Sequence, residues 1–133
     1  ILHDHGKAIN PAIEKGQIEG GFVQGAGWLT IEELNWKSNG ELTTHSPSTY
    51  KIPAVSDMPE KFKVKVFKNE NRENVVNKSK TTGEPPLMLG MSVFFAIKDA
   101  IASVVNHKII PNLNAPATPE AILLSINNIR EKL

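Results

Sequence analysis

The stretch "PPLMLGMSVFFAIKDAIASVV", residues 85–105, carries the strongest helix signal in the sequence. Pro85 and Pro86 suit a first helical turn, where the backbone N–H groups that proline lacks are not needed. Apolar or small side chains then fill nearly every position except four polar ones: Ser92, Lys98, Asp99 and Ser103. A helix of this kind has to be buried on most of its sides. We therefore predict a helix over 85–105 that packs against other parts of the protein on several faces.

One acidic residue, Glu84, stands directly before this helix, between Gly83 and the two prolines. The simplest interpretation is that an acid at a helix start is favoured by the helix dipole, by about 0.3–1 kcal/mol. The alternative is a catalytic base. Gly83 permits an unusual backbone shape and the prolines stiffen the backbone after Glu84, so this sequence can hold a carboxylate still. The residues alone leave both interpretations open.

A glycine-rich segment, "QIEGGFVQGAGWLTIEEL", covers residues 17–34 and has helical periodicity in its apolar residues. Interior glycines each cost a helix about 1 kcal/mol against alanine. The spacings Gly16-x3-Gly20 and Gly21-x3-Gly25 therefore predict that another helix or a ligand approaches the backbone closely. Gln17 and Gln24 flank these glycines, either as solvated surface residues or as amide donors to an oxygen-rich ligand. We expect residues 7–16, before this helix, to form a loop with a short helical turn.

Shorter patterns predict a small sheet and a last helix. Ser38-Asn39-Gly40 is a hairpin-like turn signal, and the residues 41–45 after it are strand candidates. Residues 61–68, "KFKVKVFK", alternate apolar and lysine side chains, as a half-buried strand does. Thr118 and Pro119 have the residue types of an N-cap and a first helical position. Together these elements predict a mixed α+β fold with two or three main helices and a small sheet.

The composition excludes several classes of site and partner. The chain has 133 residues, a net charge of +1 and no cysteine. The charge gives no reason to expect nucleic acid as a partner. Without cysteine there is no disulfide, thiolate-bound metal or iron–sulfur cluster in these residues. We find no signal-peptide pattern and no apolar run of about 18 residues, so we predict no membrane span. The chain begins "ILHDHG" without methionine, and we expect it to be a fragment of a longer polypeptide.

The isolated histidines and tryptophans carry weaker hypotheses. His3 and His5 could lie on one face of a strand and bind a metal, but no third ligand accompanies them. We predict no metal site formed by this chain. Trp28 and Trp36 are interpreted as core or interface residues.

Four blocks of the sequence resemble the C-terminal end of the molybdenum-binding region of the xanthine dehydrogenase family. They are "INPAIEKGQIEGGFVQGAGWLTIEEL" (9–34), "PSTYKIPA" (47–54), "KTTGEPPLMLGMSVFFAIKDAI" (80–101) and "APATPEAI" (115–122). Their order and spacing match the family over almost the whole chain. The motifs G-Q-[IV]-E-G-x-F-V-Q-G and G-E-P-P-L are much rarer than a generic glycine loop. The resemblance implies that residues 1–133 are the C-terminal portion of a molybdenum-cofactor-binding domain.

The resemblance also implies the chemistry. Glu84 matches the family's general base, which takes a proton from a molybdenum-bound hydroxyl so that the oxygen attacks a purine ring carbon. Hydride passes to the molybdenum centre, and electrons leave through [2Fe-2S] clusters to FAD in other domains or subunits. Gln17 matches a residue that hydrogen-bonds the molybdenum–molybdopterin cofactor. The resemblance implies a cytoplasmic, homodimeric parent enzyme that oxidises hypoxanthine and xanthine to urate.

Two rival functions remain open at this point. An aldehyde oxidase or another molybdenum hydroxylase shares the base motif, although "PSTYKIP" favours the xanthine branch. A non-catalytic assembly module would use the glycine-rich and apolar helices for packing between subunits. The family's other cofactor and substrate residues lie outside these 133 residues, so we expect the isolated fragment to be inactive. His5 stands where the family commonly has an aliphatic residue, with an effect on local packing only.

Overall fold

The computed structural model describes all residues, 1–133, and has the mixed α+β architecture that the sequence predicts. The helices are α1 (Pro11–Thr30), α2 (Pro85–Met88), α3 (Met91–Ser103) and α4 (Pro119–Arg130). Two short strands, β1 (Leu2–His3) and β2 (Lys65–Val66), pair in parallel with Leu2 opposite Lys65. Single 3₁₀ turns cover Val55–Asp57 and Val76–Lys78.

Helix α1 begins earlier than the apolar pattern predicts. Asn10 caps the helix through its side-chain oxygen, and Pro11 takes the first helical position. The prediction of a loop over 7–16 is therefore wrong from Pro11 onward. The apolar periodicity starts only at Ile18, whereas the capping residues set the true beginning of the helix. The helix ends at Thr30.

The apolar stretch 85–105 forms two helices that meet at a tightened turn. Leu89 and Gly90 donate their backbone N–H groups to carbonyls three residues earlier, at 3.1 and 3.0 Å. This is the 3₁₀ pattern, which narrows the helix locally. Gly90 lies here against the backbone of Gly25. A Cβ atom on Gly90 would be only 2.5 Å from the backbone nitrogen of Ala26. The single predicted helix is thus interrupted at its closest approach to α1, and it ends at Ser103.

Four of the five glycines of α1 divide into two groups, and the fifth, Gly27, lies against Glu32 and Pro53. At Gly21 a Cβ atom would lie 3.0 Å from Pro86, and at Gly25 it would overlap the Leu87 carbonyl. The backbone of α2 can approach α1 only because side chains are missing there. At Gly16 and Gly20, by contrast, a Cβ atom would have no heavy atom within 4 Å. The predicted close approach is therefore another helix at Gly21 and Gly25, while the face at Gly16 and Gly20 stays open.

The largest buried cluster lies between α3 and α4. Its members come from these two helices and the segment that joins them: Ile101, Val105, Leu113, Ala117 and Ile129. The predicted cap of α4 is confirmed, because the Thr118 hydroxyl accepts a hydrogen bond from the Ala121 N–H at 3.2 Å. A second apolar contact joins α1 to the 61–68 segment, where the Phe22 and Phe62 rings lie 5.3 Å apart.

The predicted strands are mostly shorter than expected. Residues 41–45 form only an isolated antiparallel bridge, between Leu42 and Trp36, across the predicted turn at Gly40. In 61–68 only Lys65–Val66 pair with another strand, because β1 offers just two residues as a partner.

Much apolar surface is left exposed. Only 17 of 133 residues are buried, and Trp28 and Trp36 are 52% and 61% exposed. They are therefore not core residues of this chain. By length and composition Pro85–Ser103 could cross a membrane, and 22% of it is buried. The prediction that no segment reaches that length is wrong, although the core helix of a larger protein meets the same criterion.

Candidate active site

Glu84 is the N-cap residue of α2 and is exposed. Its carboxylate makes no capping hydrogen bond to its own helix. Helix α2 has four residues, so its dipole is smaller than that of a long helix. Both observations weaken the interpretation of Glu84 as a helix-stabilising acid. Within this chain the surroundings of Glu84 are open to solvent.

An open cleft of about 740 Å³ brings Glu84 together with α1. On one side it is lined by Gln24 and Trp28 of α1, and on the other by Thr81, Glu84 and Met88. The exposed Trp28 ring thus has a clear location, beside the candidate base. The lining mixes an amide, a hydroxyl and a carboxylate with apolar walls. A few polar groups among apolar walls are typical of small-molecule sites.

Gln17 lies outside this cleft but on the same side of α1. Gln17 and Gln24 are separated by two helical turns, which place them on one face about 10 Å apart along the axis. Both are exposed. The open glycines Gly16 and Gly20 lie beside Gln17. The structure therefore gathers Gln17, Gln24 and Glu84 on one side of the molecule without bringing Gln17 into contact with Glu84.

The face around Gln17 fits an oxygen-rich cofactor. Its exposed amide offers both donors and an acceptor, and the space above Gly16 and Gly20 that Cβ atoms would fill is free. A metal ion would need other ligands, since no group of three or more His, Asp or Glu side chains is close enough to hold one. The side chain of His5, one of the two histidines in the metal hypothesis, is buried, with Nε2 at 3.4 Å from the Glu14 carboxylate.

The chain before Glu84 is anchored to the N-terminal residues. Asp4 accepts hydrogen bonds from Lys80 Nζ at 2.5 Å, from Asn69 Nδ2 at 3.1 Å and from the Gly6 N–H at 2.9 Å. The hydrogen bond from Lys80, with those from Gly6 and Asn69, lowers the pKa of Asp4 to about 2. Asp4 is therefore ionised and paired at any physiological pH.

The "PSTYKIPA" block is anchored to the end of α1. Tyr50 donates its hydroxyl to the Glu32 carboxylate at 2.6 Å, and Glu32 is 8% exposed. This hydrogen bond to Glu32 raises the pKa of Tyr50, because the carboxylate favours the protonated phenol. The contact fixes residues 47–54 against the helix that carries Gln17 and Gln24.

Comparisons with known proteins identify the family. Residues 1–59 match the family model described as a molybdopterin cofactor-binding domain. Over 128 residues, 92% of the chain, the protein is 47% identical to the xanthine dehydrogenase/oxidase of Felis catus. This chain belongs to the xanthine dehydrogenase family. The recognition made from the sequence motifs is confirmed.

The chain is also similar to proteins with other names. Aldehyde oxidase 1 of Bos taurus is 44% identical over 94% of the chain. The crystal structure of quinoline 2-oxidoreductase from Pseudomonas putida 86 has a TM-score of 0.79 at 30% identity, covering 95% of this chain and 15% of that one. The α+β fold class is thereby confirmed. The chain spans 10% of the length of the cat and cattle relatives.

The sequence motifs predict Glu84, which lines the cleft, and Gln17, which lies outside it, but they do not point to Trp28 or Thr81 in the cleft lining. The sequence predicts Trp28 to be a core or interface residue and gives no signal at Thr81. Trp28 comes one helical turn after Gln24, and Thr81 precedes Glu84 within the same loop. Helical spacing from Gln24 was therefore the available signal for Trp28.

Proposed function

We propose that this chain is the C-terminal portion of the cofactor-binding domain of a molybdenum hydroxylase that oxidises hypoxanthine and xanthine to urate. Glu84 is its general base and Gln17 a ligand of the molybdenum–molybdopterin cofactor. The observation that supports this most is the pairing of a free carboxylate at Glu84 with an open glycine face at Gln17, on one side of the molecule.

The positions of this chain's residues indicate their roles. When bound, the molybdenum cofactor supplies the redox chemistry, taking two electrons from the substrate. The Gln17 amide holds an oxygen atom of the cofactor, and the missing side chains at Gly16 and Gly20 leave room for it. Glu84 would accept a proton from the water that supplies the added oxygen, while the C–H bond of the purine carbon breaks and its two electrons go to the cofactor. General-base help of this kind is worth about 10²–10⁴-fold in rate.

The rest of the enzyme has to come from outside these residues. With 17 of 133 residues buried, the chain leaves apolar helix faces that other protein must cover, for example at Phe95 and Leu124, each 60% exposed. We propose that the remainder of the cofactor domain covers them, that FAD and [2Fe-2S] clusters lie in other domains or subunits, and that the parent enzyme is a cytoplasmic homodimer. The isolated chain is expected to be inactive.

Substitution of Glu84 in the full-length protein tests this function. Glu84→Gln keeps the shape of the side chain but cannot accept the proton, so turnover of xanthine should fall by about 10²–10⁴-fold while molybdenum content stays unchanged. Glu120→Gln is the matched control, because Glu120 is likewise an exposed acid next to a proline at the beginning of a helix. An active Glu84→Gln enzyme with full molybdenum content would exclude the base role.

Two other functions have their own supporting observations. An aldehyde oxidase activity is supported by the 44% identity to aldehyde oxidase 1, and turnover of an aromatic aldehyde in preference to xanthine would identify it. A packing module is supported by the close contact of α2 with Gly25. In that case Glu84→Gln would disturb subunit assembly before it affected turnover.

A further inference from the structure

We propose that Asp4 is a positioning residue for Glu84 and acts through Lys80. The inference rests on the proposed base role of Glu84. It connects Glu84 with Asp4, which is far away in sequence, and it assigns a task to the "DHG" turn at the start of the chain.

Asp4 occupies the centre of a compact polar cluster. Both of its carboxylate oxygens are used, one by the Gly6 N–H and the other by Lys80 and Asn69. The side chains of Asp4 and Lys80 are only 30% and 34% exposed. An ion pair that shares its carboxylate with two further donors is held more rigidly than an isolated surface pair, because several bonds must break together.

The backbone around this cluster makes the same connection. Gly6 forms an antiparallel bridge with Ser79. The Lys80 N–H donates to the His5 carbonyl at 2.8 Å, and the Lys7 N–H donates to the Lys78 carbonyl at 3.0 Å. Residues 4–7 therefore hold residues 78–80 by main chain and side chain together.

Gly6 is required for this approach. Its φ is +67°, a left-handed conformation that side chains rarely adopt, and a Cβ atom there would lie 2.5 Å from the Lys78 carbonyl oxygen. The turn that places Asp4 next to Lys80 thus depends on a glycine where residues 4–7 approach residues 78–80.

Between this anchor and α2, the chain that carries Glu84 is held only at its ends. No backbone hydrogen bond is donated by residues 81–84. Lys80 fixes the beginning of the loop, and the packing of α2 on Gly25 fixes its end. Residues 81–83 make no backbone hydrogen bond, and the Glu84 carbonyl accepts one from the Leu87 N–H at 3.0 Å. The main-chain bonds of residues 78–80 remain when the side-chain pair is removed, so loss of the Asp4–Lys80 pair should loosen the beginning of the loop and thereby shift Glu84. A displacement of about 1 Å at a catalytic group can cost about 10²-fold in rate.

The experiment measures xanthine turnover by the full-length protein carrying Asp4→Asn, Lys80→Met or Lys80→Arg. An Asn side chain turns an N–H₂ group toward donors that need an acceptor, so Asp4→Asn should lower kcat by about 10- to 100-fold. KM and molybdenum content should stay within about twofold. Lys80→Met should lower kcat similarly, and Lys80→Arg should keep most of it because the charge pair is retained.

The matched control is Glu41→Gln, which removes a carboxylate paired with Lys37 at 3.0 Å, where both side chains are 54% exposed. It should leave kcat unchanged. The proposal is overturned if Asp4→Asn and Lys80→Met keep wild-type kcat while Glu84→Gln is inactive. It is also overturned if they lower kcat only by losing molybdenum or by unfolding, or if Lys80→Arg is as slow as Lys80→Met. An active Glu84→Gln enzyme would instead defeat the proposed function itself.

Discussion

Substituting Gly25 by alanine tests whether contact between α1 and α2 sets the position of Glu84. A Cβ atom at Gly25 would overlap the Leu87 carbonyl oxygen and lie 2.9 Å from its carbon. Carbon atoms pack at about 3.5–4.0 Å, so the contact with the carbonyl carbon alone requires α2 to retreat by about 0.6–1.1 Å, and the overlapping oxygen requires a larger shift. The obstacle is backbone, which cannot rotate away as a side chain can. Overpacking of this kind costs about 1–3 kcal/mol.

Gly20→Ala is the matched control for this substitution. Gly20 is also inside α1, but nothing lies within 4 Å of its Cβ position. Both variants gain about 1 kcal/mol of helix propensity, so the difference between them isolates the steric cost. Gly20→Ala should therefore stabilise α1, and in the holoenzyme it should reduce molybdenum content if the cofactor occupies this face.

Hydrogen exchange in the full-length protein is the assay, because it reports local stability without requiring the whole enzyme to unfold in two states. The N–H groups of Leu89 and Gly90 donate within the tightened turn at 3.1 and 3.0 Å. In Gly25→Ala they should exchange about 5- to 150-fold faster than in Gly20→Ala, which corresponds to the 1–3 kcal/mol above. Equal exchange in the two variants would refute the reasoning, and so would an unchanged kcat in Gly25→Ala with faster exchange.

Three further predictions concern single contacts. The pKa of Asp4 is lowered from 3.8 to about 2. Its pairing with Lys80 should therefore stabilise the fold fully above about pH 4, and this stabilisation should be lost as the pH falls toward 2. Asp4→Asn should flatten this part of a plot of melting temperature against pH. The hydrogen bond to Glu32 raises the pKa of Tyr50, so this contact should stabilise the fold below pH 10 and lose its effect as the pH rises above 10. Tyr50→Phe should abolish this dependence of melting temperature on pH. Thr118→Ala removes the cap of α4 and should lower local stability by about 0.5–2 kcal/mol, measured by hydrogen exchange, whereas Thr118→Ser should not.

Most of the helical architecture could be predicted from local sequence signals. Thr118 and Pro119 set the beginning of α4 correctly, since capping depends on residues adjacent in the chain. The same signals at Asn10 and Pro11 predict the beginning of α1, but the apolar periodicity from Ile18 pointed elsewhere. Where the two signals disagree, the cap decides, because it satisfies backbone N–H groups that would otherwise be left unpaired.

The interruption of the apolar helix could not be predicted from its own residues. Gly90 alone indicates only a weak helix position. The turn is tightened there because Gly25 lies against it, and that contact joins residues far apart in the chain. The length of β2 has the same origin, since a strand extends only as far as its partner, and β1 ends at His3.

The candidate site also has one part that local patterns predict and one part that depends on contacts between distant residues. Its motifs predict Glu84 and Gln17 as candidate residues, because rare residue patterns carry chemical information directly. The anchoring of Glu84 did not appear in any pattern. Asp4 and Lys80 are distant in sequence, and neither lies in a motif that indicates an ion pair.

A last prediction concerns a variant in which both anchors of the loop 81–84 are removed. The ion pair between Lys80 and Asp4 holds the beginning of the loop. The packing of α2 against Gly25 holds its end. If both serve only to place Glu84, releasing either end already lets the carboxylate move, and releasing the second adds little. The double variant Asp4→Asn/Gly25→Ala should then have a kcat close to that of the slower single variant. If instead the two losses multiply, the anchors act on separate steps, and Glu84 is not the element they share.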